Sequence, residues 1–318
     1  MLKSKQPHKA HLMKKIYVTA LFIFMGITAA TAQQDPHYTQ YMYNMNVVNP
    51  AYAGSKENLS FGLLYRAQWL NVDGAPTTFS FSGSSPVGKN VGLGLSLISD
   101  EIGPVTEQNV YGDFSYTINL GGERRLALGL KAGASFQKIG LNSQIQPTLP
   151  DLTDDAFKED TNSTFFNIGT GIFYYTDKYY VAFSVPNMIK ATHLDFNGKR
   201  YGNEVQHYFA TAGYVFQLNE TLKFKPSVML KSAFDSPSSL DMNANFLFFE
   251  KFEIGASYRV DDSFGGMVNY AITPSLRIGY AYDSILSDLK ATTRSSHEFI
   301  LLFDLNFPKK VSRSPRFF

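Results

Sequence analysis

Apolar and polar residues alternate along most of the chain. From Val91 to Leu97, valine or leucine stands at every second position with glycine or serine between, and the same period of two recurs from Leu126 to Gln137. Successive side chains of a β-strand point to opposite faces. Each such segment therefore predicts a strand with one apolar face and one small or polar face.

About fourteen alternating segments, of roughly 8 to 13 residues each, follow one another from Leu59 to Phe307, and an even number of such tilted strands is typical of transmembrane barrels. Tight turns are predicted at 85–89, 121–123, 176–178, 219–220, 250–251 and 273–274. Longer loops are predicted at 71–76, 99–108, 139–163, 186–203, 232–238 and 285–295. We therefore predict an all-β fold, a transmembrane antiparallel β-barrel of about 14 strands whose tight turns face the periplasm.

The face opposite the apolar one is predicted to line the lumen. Its basic residues are Arg66, Lys223, Lys225, Lys231, Arg259 and Arg277, and the acidic residues available to pair with them are Asp113, Glu253, Glu298 and Asp304. We expect ion pairs that keep the interior ordered, with a charged passage for a solute as the alternative. Several strand glycines are expected to leave space for a plug or a bend, namely Gly94, Gly129, Gly133, Gly169, Gly171, Gly255, Gly265 and Gly279.

Residues 34–54 precede the first strand and do not alternate. They read QDPHYTQYMYNMNVVNPAYAG and are rich in tyrosine and asparagine. We predict one or two turns of helix over 38–45 and an extended stretch from Asn49, because Pro50 disfavours helical backbone at the residue before it. The lumen of a barrel with ~14 strands is wider than side chains alone fill. We expect this segment to lie inside the barrel as a plug, or beneath it as a periplasmic lip.

This opening segment also carries a resemblance to a known family. Together with FGLLYRAQW at 61–69 and Gly-Ala-Pro-Thr-Thr at 74–78, it resembles the PorP/SprF family, outer-membrane proteins associated with type IX secretion and gliding motility. The C-terminal RSPRFF is similar to the family's usual ending. The resemblance covers the mature chain. It implies a non-enzymatic outer-membrane component that assists export or surface anchorage of a large adhesin.

The resemblance also implies partners. These are type IX secretion proteins, including periplasmic lipoproteins and a peptidoglycan-associated protein, the exported adhesin, and outer-membrane lipid. The motif residues expected to bind a partner are Asp35, Tyr38, Tyr41, Asn49, Pro50, Tyr52 and Gly54. A packed structural plug without a partner is the alternative reading of the same residues.

The chain is expected to be exported and processed. Residues 1–32 are predicted to be a secretory signal peptide, with lysines before an apolar run over 16–29 and Ala30-Thr31-Ala32 as the cleavage site. We expect the motif segment at 33–57, the barrel at 58–307 and a basic periplasmic tail at 308–318. The chain is 15% aromatic, and aromatic girdles at the membrane interfaces are the expected use of these residues. The predicted location is the cell outer membrane.

Other classes of function have little support in the sequence. The chain has no cysteine, which excludes disulfides, thiol catalysis and a lipoprotein anchor. No metal-ligand spacing or serine-hydrolase elbow is present, so we expect no enzyme and no cofactor. Without the signal peptide, acidic residues outnumber basic ones, which does not indicate nucleic-acid binding.

Three alternatives remain open. The first is a passive or selective outer-membrane channel. The second is a barrel hydrolase using His207. The third is calcium binding by the acidic residues of the loop at 151–160, because calcium prefers carboxylate oxygens.

Overall fold

The computed structural model describes residues 38–56, 58–140, 142, 160–189, 192–196, 199–203, 206–233, 236–287, 290, 292–293 and 295–305. The predicted signal peptide, Asp35, the basic tail at 308–318 and most of the acidic loop lie outside the described residues.

The described residues form seventeen strands. The first nine are β1 (Leu59–Ala67), β2 (Thr77–Pro86), β3 (Val91–Ile102), β4 (Val105–Asn119), β5 (Arg125–Ile139), β6 (Thr161–Tyr175), β7 (Tyr179–Val185), β8 (Thr192–Phe196) and β9 (Lys199–Asn203). The others are β10 (His207–Tyr214), β11 (Phe216–Gln217), β12 (Leu222–Ala233), β13 (Ser236–Phe248), β14 (Phe252–Arg259), β15 (Ser263–Ala271), β16 (Leu276–Ile285) and β17 (Ser295–Leu305).

These strands close into a barrel. β1 pairs with both β2 and β17, and β10 pairs with both β7 and β12, all antiparallel. The two-residue β11 continues the line of β10 along β12, and β8 and β9 form a separate two-stranded hairpin. The barrel therefore has 14 strands, which confirms the predicted fold and leaves no unpaired edge to meet hydrocarbon.

The two faces of each strand differ as the alternation predicts. On β4, Asn109, Tyr111 and Asp113 are buried inside, whereas Val110 and Phe114 between and beside them are exposed on the outer surface. An apolar outer face and a polar inner face are the arrangement of a barrel surrounded by lipid.

An aromatic belt surrounds part of the barrel at the end where the tight turns lie. Its rings stand 4.3 to 6.0 Å apart between neighbouring centroids. The members, in order around the wall, are Tyr174, Tyr179, Tyr214, Phe216, Phe224 and Phe246. Such belts mark the interface between hydrocarbon and water.

No helix in the described part of the chain is long and apolar enough to cross a membrane.

The prediction of a long loop at 99–108 is wrong. β3 and β4 pair as far as Ile102 and Val105, with Asp100 opposite Glu107. The turn is tight because Gly103 adopts a left-handed backbone, with φ of 54°. The predicted loop at 232–238 is likewise shorter, since β12 and β13 extend into it, and the loop at 186–203 contains the β8–β9 hairpin. Beyond the lipid both faces of a hairpin meet water, so alternation no longer marks a strand there.

Candidate functional site

The candidate site is the segment of residues 38–56, which lies inside the barrel and is called the plug below. Every plug residue is buried except Gly54 and Lys56, which are half-buried. The segment is built from three short pieces, a 3-10 turn (Tyr41–Tyr43), the helix α1 (Met45–Val48) and a second 3-10 turn (Pro50–Tyr52). The plug therefore fills the lumen as a compact folded unit.

The helix predicted over 38–45 is displaced along the chain. Helical backbone is found instead from Tyr41 to Tyr52, interrupted at Asn44 and Asn49. Asn49 is extended, as its position before proline requires, but Pro50 then opens a 3-10 turn rather than an extended stretch. The Asn49 side chain stabilises this turn by accepting a hydrogen bond of 2.9 Å from the backbone N–H of Ala51.

The start of the plug is held by charged wall residues. Glu298 on β17 accepts hydrogen bonds from the backbone N–H groups of Thr39 and Gln40, at 2.9 and 2.8 Å. The Thr39 hydroxyl donates to Asp283 at 2.5 Å and accepts from Arg66 at 2.9 Å. Arg66 pairs with both carboxylates, at 2.9 Å to Asp283 and 3.1 Å to Glu298. Charge-assisted hydrogen bonds of this kind are stronger than neutral ones.

A second set of charged wall residues, Glu253 and Lys225, holds Tyr43. Its hydroxyl donates a short hydrogen bond to Glu253 on β14, and Lys225 on β12 donates to the hydroxyl at 3.0 Å and to Glu253 at 3.0 Å. Burial, and after it the Glu253 charge, raises the pKa of the Tyr43 hydroxyl well above its ordinary value. The tyrosine therefore stays protonated and remains a donor at every physiological pH.

The later plug residues lie directly against wall backbone. Three wall glycines make this approach possible, namely Gly92, Gly129 and Gly171. A Cβ atom at these positions would overlap, respectively, the carbonyl of Ala53, the backbone of the Pro50–Tyr52 turn and the side chain of Asn49. The plug and these strands therefore fit only because the wall has no side chain there.

Two wall side chains satisfy the carbonyls at the end of α1. Lys131 donates to the carbonyl of Val47 at 3.0 Å, and Ser184 donates to that of Val48 at 2.9 Å. Lys131 also pairs with Asp113 at 3.6 Å. The last carbonyls of a helix have no partner within it, so these contacts fix the helix to β5 and β7.

The structure brings together most of the motif residues predicted to bind a partner. Five of them have buried side chains and one is half-buried: Tyr38, Tyr41, Asn49, Pro50 and Tyr52 are buried, and Gly54 is half-buried. Tyr41 donates to Ser227 at 3.2 Å, and the Tyr52 ring meets Phe173 edge-on at 5.3 Å. The side chains of Tyr41, Asn49 and Tyr52 thus contact the barrel wall.

Most of the charged residues predicted on the lumen face form ion pairs. Besides those described, Arg277 lies 3.6 Å from Glu253, and Lys223 pairs with Glu250 at the rim. Asp304 pairs with Lys56 at 3.7 Å. Lys231 stands over the ring of Phe209 at 5.9 Å.

Sequence reasoning missed several residues that hold this arrangement. They are Thr39, Gln40, Lys131, Asp241 and Asp283. Asp241 accepts from Arg259 at 2.7 Å. Lys131, Asp241 and Asp283 lie at polar positions of their alternating segments, so the alternation alone could have predicted that they face the lumen. Thr39 and Gln40 gave none, because their contact with Glu298 uses backbone N–H groups.

The described residues contain no group of three His, Asp or Glu side chains that could hold a metal ion. His207, considered for a hydrolase, is buried beside the ring of Phe209 at 6.5 Å. Of the acidic loop, Asp160 is described, and it accepts from the backbone N–H of Asn142 at 3.0 Å. The calcium prediction otherwise concerns residues outside the described part of the chain.

Comparison with known protein families gives a match over most of the chain. The profile of the family "Type IX secretion system membrane protein PorP/SprF" matches residues 30–303. Among solved structures, the chain is similar to the outer-membrane protein Omp33 of Acinetobacter baumannii, with 14% identity, a TM-score of 0.44, and 79% of this chain and 100% of that chain covered.

Two further solved structures are similar to the chain. The monoaromatic hydrocarbon channel CymD has 12% identity and a TM-score of 0.49, with 89% of this chain and 95% of that chain covered. The toluene transporter TbuX of Ralstonia pickettii has 10% identity and a TM-score of 0.47, with 81% and 92% covered. The search of curated protein sequences found no significant match.

Proposed function

Because this chain belongs to the PorP/SprF family of type IX secretion system membrane proteins, we propose that it is a non-enzymatic component that assists export or surface anchorage of a large adhesin. The protein lies in the outer membrane, where its closed barrel exposes an apolar surface to lipid. The proposed partners are periplasmic lipoproteins and a peptidoglycan-associated protein of the secretion and gliding machinery, together with the adhesin and outer-membrane lipid.

The observation that carries the proposal is the filled lumen. Residues 38–53 of the plug are all buried, and charged wall groups hold its backbone and hydroxyl groups. A passive channel needs a continuous water-filled path, which this plug occupies. A filled barrel is suited instead to presenting its ends as docking surfaces.

We further propose that the opening motif contributes to docking by keeping the plug ordered. The motif residues in question are Asp35, Tyr38, Tyr41, Asn49, Pro50, Tyr52 and Gly54. Tyr41, Asn49 and Tyr52 contact the barrel wall, so a partner would meet the surface they stabilise rather than their side chains. Loss of these contacts is therefore expected to weaken docking even if the barrel still assembles.

The selective channel is the second candidate function. It is favoured by one observation, the charges of both signs on the lumen wall, among them Arg66, Lys225 and Glu253. The ion pairs these residues make with one another and with the plug support the docking role more directly.

Affinity purification from native outer membranes tests the proposal. The tagged protein is isolated in mild detergent and its partners are identified by mass spectrometry. We compare wild type, the double variant Asn49→Ala, Tyr52→Ala, and Leu130→Ala as a control on the exposed outer face. Secretion-system proteins or an adhesin should accompany wild type and control but be lost from the double variant. A barrel that is recovered alone in all three would contradict the proposal and favour the channel.

A further inference from the structure

The plug meets the barrel wall on two sides, and each side uses a different part of it. Residues 39–43, the first half, contact β12, β14, β16, β17 and β1. Residues 44–54, the second half, contact β2 to β7. The first set lies within one arc of the wall, β12 to β17 and β1, and the second set forms another, β2 to β7. The division falls at Asn44, whose backbone is not helical, with φ of −121° and ψ of 35°.

The first half makes polar contacts with the wall and also buries the side chains of Tyr41, Met42 and Tyr43. Thr39 and Gln40 bind the wall through backbone N–H groups, and Tyr41 and Tyr43 bind it through hydroxyl groups. Water can replace each of these hydrogen bonds when the two surfaces separate, whereas the apolar burial of Tyr41, Met42 and Tyr43 is lost. The net free energy lost is then smallest for the neutral hydrogen bond of Tyr41, and larger for the charge-assisted ones to Glu298, Asp283 and Glu253.

The first-half interface also has places for water. The side-chain amides of Gln40 and Asn269 are buried, and within the described residues neither has a hydrogen-bond partner. A cavity of about 10 Å³ lies beside Thr39, between Asn243 and Asp283, which is room for about one water molecule. Buried amides without partners are costly, so water is the natural partner at this interface.

The second half is held differently. Backbone packs on backbone at Gly129 and Gly92, and the ring of Tyr52 packs on Phe173 at 5.3 Å. Water replaces such contacts poorly, because apolar surface is exposed and close packing is lost. Asn44 adds hydrogen bonds to Ser80 and Ser82, at 3.0 and 3.1 Å, at the boundary.

We propose that the plug is a gate that opens in part: the first half leaves the wall while the second half stays anchored. The wall that is vacated, across β12 to β17 and β1, then lines a polar passage for hydrated ions and small polar solutes. Its lining includes Arg66, Glu298, Lys225 and Glu253, which carry charges of both signs. This activity goes beyond the proposed docking role and does not depend on it.

Hydrogen–deuterium exchange of the unaltered mature protein in lipid nanodiscs is the first test. Backbone amides of residues 39–43 should exchange at least about tenfold faster than those of Asn49 and residues 51–53, because local opening sets the exchange rate. Equal exchange in the two halves would overturn the proposal, as it would mean that the plug moves as one unit or not at all.

Two engineered disulfides give the second test, since the chain has no cysteine of its own. The pair Thr39→Cys, Asp283→Cys locks the first half, where the native side-chain oxygens are 2.5 Å apart. The pair Ala53→Cys, Gly94→Cys locks the second half, where a Cβ on residue 94 would lie 3.3 Å from that of Ala53. The second separation is close to the Cβ–Cβ distance of a disulfide, and in the first pair the two native side chains already meet.

Ion conductance in planar bilayers is recorded for each pair before and after reduction, so that each protein is its own control. Oxidation should reduce the frequency of openings at least about tenfold for the first lock and leave it unchanged for the second. Openings that survive the first lock, openings lost with the second, or no openings in any reduced protein would contradict the gate. If a cysteine pair does not assemble, the exchange experiment still decides the proposal.

Discussion

Arg66 and Glu298 occupy paired positions on β1 and β17, the first and last strands of the barrel, and their side chains form an ion pair of 3.1 Å inside the lumen. The same Glu298 carboxylate accepts the backbone N–H groups of Thr39 and Gln40. One buried group thus joins both ends of the barrel to the plug. Closure of the barrel and insertion of the plug are therefore energetically coupled.

Glu298→Gln should destabilise the folded protein. The substitution keeps the shape of the side chain but removes the charge that Arg66 and two backbone N–H groups use, so the free energy of unfolding should fall by about 2–4 kcal/mol. Urea titration in lipid vesicles measures it. Asp304→Asn at the rim is the control, since its ion pair with Lys56 is partly exposed and should contribute less than about 1 kcal/mol. Equal losses would contradict the coupling.

Gly129→Ala should displace the plug. The added Cβ would overlap the backbone of the Pro50–Tyr52 turn. The wall cannot shift here without breaking its pairing with β4 and β6, so the turn must move. We expect a loss of about 2–3 kcal/mol in the free energy of unfolding, as for other overpacked sites. On the neighbouring strand, Gly112→Ala is the matched control, because its Cβ would meet no atom closer than 3.9 Å. If both variants are as stable as wild type, the plug does not touch β5.

The Tyr43 hydroxyl gives the protein a specific sensitivity to alkaline pH. Its pKa is raised in the folded state, whereas in the unfolded chain it titrates near pH 10. Below that pH the stabilisation is complete, and as the pH rises above it the unfolded state releases a proton that the folded state keeps. Between about pH 9.5 and pH 11, the free energy of unfolding should fall more steeply for wild type than for Tyr43→Phe. Parallel curves would show that the hydroxyl is not buried.

Leu130→Arg should lower the free energy of unfolding of the barrel, because it places a charge on the lipid-facing surface. Leu130 lies near the middle of β5 and is 61% exposed on the outer surface. An arginine at the bilayer midplane costs about 2–4 kcal/mol, and one near the interface costs only about 0–1. Leu120→Arg, directly after β4 at the tight-turn end, is therefore the depth control. A smaller loss in the free energy of unfolding for Leu130→Arg than for Leu120→Arg would contradict this orientation in the membrane.

The barrel was predictable from the sequence because lipid outside and polar groups inside impose a period of two on every strand. Alternation gave the number of strands and the inward position of Arg66, Lys225 and Glu253. It failed at 99–108, where the hairpin of β3 and β4 leaves the lipid and loses that constraint.

The interior of the plug was less predictable. The sequence left a choice between a plug and a periplasmic lip, because the segment has no period that relates it to particular strands. The contact of Thr39 and Gln40 with Glu298 could not be predicted from the sequence, because backbone N–H groups make it. Gly129 and Gly171 were predicted to leave space, but only the fold shows what fills it, namely the backbone of the Pro50–Tyr52 turn at Gly129 and the side chain of Asn49 at Gly171.

The central claim is that residues 38–56 fill the lumen of the barrel. Photo-cross-linking in native outer membranes, with p-azidophenylalanine in place of Tyr43, tests this most directly. The account predicts cross-links within the same chain, to peptides of β12 and β14 that contain Lys225 or Glu253. Cross-links from this position only to other proteins, with none to the barrel wall, would contradict the claim.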